Sequence, residues 1–110
     1  MMKILHVLAA IGSLWLVGAA QAADSKANWE EHCAKCHGPD GKGQTKMGRK
    51  LGLRDYTDAK VQAEFTDAEA LKAITEGVKG KDGKSKMQPA EELSDDDRQA
   101  LVQFVRTLKA

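Results

Sequence analysis

Cys33-Ala34-Lys35-Cys36-His37 sets two thiols three positions apart and an imidazole directly after the second. On a helical turn the two sulfurs share a face, and an imidazole one step further on can swing beneath a flat ligand that both sulfurs hold. This is the spacing of c-type haem attachment, in which the thiols add to the two vinyl groups and the histidine is carried onto the iron. Cys33, Cys36 and His37 are therefore the first candidate site residues.

Two other chemistries use paired cysteines. A redox-active Cys-x-x-Cys couple belongs after a strand in a βαβ unit, and nothing upstream of Cys33 reads as a strand. A structural zinc ion needs four ligands. Beyond the first segment the chain offers only His32, Cys33, Cys36 and His37, too tightly adjacent to close one tetrahedron.

The first segment reads as an address rather than as fold. Lys3 opens it, an apolar run follows from Ile4 to Ala20, and Ala20-Gln21-Ala22 closes it with the small-x-small pattern of a cleavage site. The run is slightly short for a membrane span, and no cysteine stands at the cleavage point to carry a lipid. Residues 1–22 are thus expected to be a cleavable secretory signal, and 23–110 a single periplasmic domain with no stable membrane insertion.

Charge gives no direction overall. The chain carries 17 Lys and Arg against 16 Asp and Glu, and Lys3 leaves with the signal, so neither nucleic acid nor a generally anionic surface is implied. Locally the balance breaks: Lys79, Lys81, Lys84 and Lys86 crowd one segment, and Glu91, Glu92, Asp95, Asp96 and Asp97 the next. Aromatic residues are scarce, with only Trp29, Tyr56, Phe65 and Phe104 after the leader. In so small a domain a buried porphyrin would supply much of the apolar interior.

The elements that must position the motif are helices joined by glycine-rich loops. A helix is expected from about Ser25 to Lys35, capped by Asp24 or Ser25, with Trp29 on the face of Cys33 as a core aromatic. Gly38 to Gly43 must end it. The stretch from there to Thr57 lacks either periodicity and reads as an ordered loop over the haem edge. A short helix is expected from Asp58 to about Glu64. The next opens on a Thr66/Glu69 capping box, carries Leu71, Ile74 and Val78, and stops at Gly77. Gly80 to Pro89 reads as a loop. The last helix starts at Ser94 with Asp95 to Asp97 at its positive end, and buries Leu101, Val102, Phe104, Val105 and Leu108. No strand is evident, so the expected class is all-α.

Iron held by His37 needs a partner across the ring. Met47, Met87 and, remotely, His32 are available. Met87 is preferred because an irregular loop between two helices can present a side chain to the opposite face; Met47 reads as a flexible filler and His32 as a packed or solvated histidine. Arg49, Arg54 and Tyr56 are candidates to meet the haem propionates.

From Trp29 through CAKCHGPDGKG to MQP and the closing FVRTL, the mature chain resembles the small soluble class I cytochromes c, especially bacterial monohaem members. The resemblance implies three to five helices wrapped around one covalent haem c. It also implies thioethers at Cys33 and Cys36, His37 and Met87 as axial ligands, and terminal helices packed near Trp29 and Phe104. Two departures stand out: Gln88 separates Met87 from Pro89, and no proline lies about a dozen residues after His37 to accept its N–H. The implied function is a monomeric carrier passing single electrons between an oxidase, reductase or dehydrogenase and another redox partner. The alternative is a haem enzyme or a gas or peroxide sensor, which follows if the Met ligand is labile.

Overall fold

The computed structural model describes residues 24–110; the expected export segment and its cleavage point lie outside the described residues. The first helix, α1, takes in 24–32, and after a turn at Cys33 the chain continues as α2 (Ala34–His37). Asp24 and Ser25 are themselves helical, so neither is the expected cap, and Ser25 is buried. Among the described residues no helix is long and apolar enough to cross a membrane.

Local capping sets the two main helices. Before α5 (Asp67–Glu76), Thr66 Oγ1 accepts from the Glu69 N–H at 3.1 Å and the Glu69 carboxylate accepts from the Thr66 N–H at 3.1 Å. Ser94 and Asp97 repeat the exchange at 3.1 and 3.4 Å before α6 (Asp95–Thr107), and Asp95 to Asp97 sit where the helix dipole favours negative charge. Helix α6 packs on α5. Leu101, Val102 and Val105 from α6, Ile74 from α5, Leu93 and Trp29 form the buried core, with Phe104 and Leu108 partly buried against it. Val78, expected in the α5 stripe, falls beyond the helix and is exposed.

Two elements depart from the expected loops. The stretch after the motif contains α3 (Lys46–Leu51), begun by Thr45, whose hydroxyl accepts from the Gly48 N–H, and ended by Gly52 in the left-handed region at φ 68°. Its stability comes from these caps and from packing on α2 rather than from an apolar stripe, which is why periodicity missed it. Between α5 and α6, β1 (Val78–Lys79) pairs antiparallel with β2 (Ser85–Met87). This hairpin corrects the reading of 80–89 as an unpaired loop and of the chain as strandless. The all-α class stands, now with six helical segments among the described residues, the expected short helix being α4 (Ala59–Gln62) with Asp58 as its cap.

A polar hub binds the far end of α6 to the middle of the chain. Buried Gln62 donates from Nε2 to the Tyr56 carbonyl at 2.7 Å and to the Val105 carbonyl at 2.8 Å. Arg106 donates to the Gln62 carbonyl at 2.6 Å, to Gln62 Oε1 at 2.8 Å, to the Phe65 carbonyl at 2.8 Å and to the Asp67 carboxylate at 2.8 Å. Its guanidinium also lies 4.3 Å from the centre of the Phe65 ring. The Val105 carbonyl also takes the Leu108 N–H at 3.1 Å, whereas the part-buried Tyr56, Gln62 and Phe65 carbonyls take their donors from this hub; a carbonyl shielded from water and left unpaired costs about as much as a lost hydrogen bond.

Replacing Gln62 by Leu keeps the volume but strands the Tyr56 carbonyl and one Arg106 donor, while the Val105 carbonyl keeps the Leu108 N–H; urea denaturation of the holoprotein is expected to show a loss of about 1–3 kcal/mol. Hydrogen bonds from Arg106 and Gln103 hold the Asp67 carboxyl below its usual range. A depressed native value means the stabilisation is complete at neutral pH and is lost as acid protonates the group, below about pH 4. Melting curves for Asp67→Asn should therefore lie below wild type at neutral pH and converge with it in acid.

Candidate cofactor site

The motif is held by its backbone before any cofactor is considered. The Cys33 carbonyl accepts from the Cys36 and His37 N–H groups at 3.2 and 3.0 Å. Helix α2 then ends, leaving carbonyls that need partners from elsewhere. The Cys36 carbonyl takes the Thr45 hydroxyl at 2.6 Å, the His37 carbonyl takes the Gly43 N–H at 2.7 Å, and the Gly38 carbonyl takes the Trp29 indole N–H at 3.0 Å. Thr45 thus serves two elements with one hydroxyl, closing α2 and opening α3. Sequence reasoning missed it, although a threonine ahead of Lys46 and a glycine after Leu51 were the available signal.

Above the motif lies an open cleft of about 610 Å³, mouth included. A concave, mostly apolar cleft with a few polar groups is the usual form of a ligand site. Cys33, His37 and Met87 all line it, within an apolar wall that includes Ile74, Leu101 and Val105, and Arg54 is its one formally charged lining residue among the described residues. Cys36 is half-buried but is not part of the lining. Both cysteines are free, and burial, with Cys36 beside it, pushes the Cys33 thiol up to about 11.

His37 is fixed by packing. Its ring centre lies 5.5 Å from that of Trp29 and 5.4 Å from that of Tyr56. Burial lowers its basicity and so favours the neutral imidazole, the form that binds a metal. Its Nδ1 is buried without a hydrogen-bond partner among the described residues, so no carbonyl there takes the place of the missing proline's. An unpartnered buried imidazole beside a thiol and a thioether, in an apolar cleft, fits a haem iron and its attachment.

The other candidates divide cleanly. Met47 is 39% exposed and lies outside the cleft, whereas Met87 lines it. His32 stays out as well, its ring nitrogens 3.8 Å from Glu31 and 3.9 Å from Glu92. Arg54 and Tyr56 line the cleft and Arg49 does not; the Arg54 guanidinium is paired with Glu64. Trp29, 3% exposed, is both core and cleft wall, with its ring centre 5.5 Å from that of Phe104, which brings α1 and α6 together as expected. Among the described residues no group of three His, Cys, Asp or Glu side chains is placed to hold a bare metal ion.

A sequence model described as "Cytochrome c" matches residues 22–109. The chain belongs to the cytochrome c family. Covalently bound haem c comes with membership, and the Cys33 and Cys36 thiols are consistent with its attachment. Among solved structures, the KustC0563 c-type cytochrome is 35% identical, with a TM-score of 0.67 over 79% of this chain and 99% of its own. A mutant of the same protein with a tyrosine-to-phenylalanine substitution is 36% identical, with a TM-score of 0.64 over 78% of this chain and 99% of its own. No curated protein matches.

Because Trp29, Ile74, Leu101 and Val105 of the core also line the cleft, this cytochrome should not pack without its cofactor. The haem-free Cys33→Ser, Cys36→Ser variant is expected to lose near-UV circular dichroism while keeping part of its far-UV helix signal.

Proposed function

We propose that residues 23–110, exported to the periplasm by the 1–22 segment, form a monomeric carrier of single electrons. In this reading Cys33 and Cys36 hold haem c through thioethers, and His37 and Met87 are the axial ligands. The observation that carries it is the joint exposure of His37 and Met87 to one cleft from which Met47 and His32 are absent. Bound there, haem supplies a one-electron couple at its iron.

The chain's own residues decide what that couple can do. Burial keeps the His37 imidazole neutral and able to bind. The Met87 thioether is a soft ligand that favours the reduced metal, and the apolar wall disfavours the extra positive charge of the oxidised one. Were His37 and Met87 both to hold the iron, the chain would leave no position open for oxygen, peroxide or substrate. Such a closed site would supply electron exchange alone, with an oxidase, reductase or dehydrogenase as partner.

The test is an absorption spectrum of the haem-loaded protein in both oxidation states. The weak long-wavelength ferric band of sulfur ligation is expected in wild type and absent in Met87→Ala, and Met87→His is expected to lower the midpoint potential. A high-spin wild-type spectrum that shifts at once with carbon monoxide or cyanide would overturn the carrier reading in favour of a haem enzyme or sensor.

A further inference from the structure

The Met87 side chain reaches the cleft from a hairpin whose residues are almost all exposed, so its placement needs an anchor elsewhere. Gly77, the residue that closes α5, supplies one. Its backbone, at φ 78° and ψ −179°, lies in a region that only glycine occupies without strain. A Cβ placed there would stand 2.6 Å from the Met87 carbonyl oxygen and 3.0 Å from both the nitrogen and Cδ of Pro89. The space a side chain would need is therefore filled by the backbone that flanks Met87.

Further contacts complete the seat. Val78, next to Gly77, pairs with Met87 across the hairpin, and the Ala90 N–H donates to the Ile74 carbonyl of α5 at 2.9 Å. The register passes from Val78 opposite Met87 to Lys79 opposite Ser85, so Lys86 is an extra residue on β2. An extra residue of this kind bends its strand and re-aims the neighbouring side chain. Without it, period-two alternation would turn Met87 to the other face.

We propose that Gly77 is a positioning residue for Met87: its bare Cα lets the end of α5 carry the 87–89 backbone in contact, and the Lys86 bulge turns the thioether into the cleft. The inference rests on Met87 being an axial ligand, and the test separates the two claims. Holoproteins of wild type, Met87→Ala, Gly77→Ala and Gly52→Ala are compared for the ferric sulfur-ligation band and for the rate of cyanide binding. Gly52 also has positive φ, in the milder left-handed helical region, and a Cβ there would meet nothing within 4 Å, so it controls for an alanine at a positive-φ helix end away from the seat.

Gly77→Ala is expected to lose most of the band and to bind cyanide at least ~10-fold faster than wild type, while Gly52→Ala keeps both wild-type values. If Gly77→Ala keeps the band and the slow rate of Gly52→Ala, the positioning role is wrong although Met87 remains the ligand. If wild type lacks the band, or Met87→Ala retains it, the ligand assignment fails and takes this proposal with it. Should Gly77→Ala not accumulate as holoprotein, insertion of one alanine between Lys86 and Met87 decides, because it moves Met87 off its place opposite Val78. Loss of the band with helix content retained supports the seat, and an unchanged spectrum overturns it.

Discussion

Trp29 is the contact on which the rest of the molecule depends. Its ring lies against Phe104 of the last helix and His37 of the motif, and its indole N–H holds the Gly38 carbonyl just past the end of α2. One side chain thereby joins α1, α6, the loop after the motif and the cleft wall. With few aromatics in the chain there is little redundancy. The core cluster of Leu101, Val102 and Val105 can pack only where this contact sets the distance between the terminal helices.

The two sides of the cleft are built from different physics. On the His37 side the backbone carbonyls of Cys36, His37 and Gly38 all have donors, and rings from Trp29 and Tyr56 contact the imidazole. Opposite charges and polar hydrogen bonds reinforce the remainder, where Arg106 and Gln62 gather the carbonyls of three segments. On the Met87 side support comes from a two-residue pairing, a glycine without a side chain and one hydrogen bond to α5.

What was legible in the sequence was what local chemistry decides. Ser94 with Asp97 and Thr66 with Glu69 announce helix starts because the partners lie three residues apart and need nothing else. The Cys33 to His37 spacing names its chemistry for the same reason. Helix α3 escaped because the Thr45 hydroxyl also answers to the Cys36 carbonyl, nine residues earlier in the chain, and Gly48 lies against the Gly43 and Cys36 carbonyls. The hub escaped because Arg106 finds Gln62 across a separation of 44 residues. The expected cap at Asp24 or Ser25 failed because side-chain preference for a helix end does not prevent such residues from lying inside one.

The thin support of the hairpin also sets an order for local opening. Amide protons exchange with solvent through the cheapest fluctuation that frees them, and segments with exposed hydrogen bonds and few buried contacts open first. Residues 78–87 meet that description, whereas Leu101 at 1% exposure does not. Hydrogen exchange should therefore divide the molecule into at least two cooperative units, with the hairpin released well before the α1–α6 contact. One wall of the cleft can thus loosen while the other remains folded.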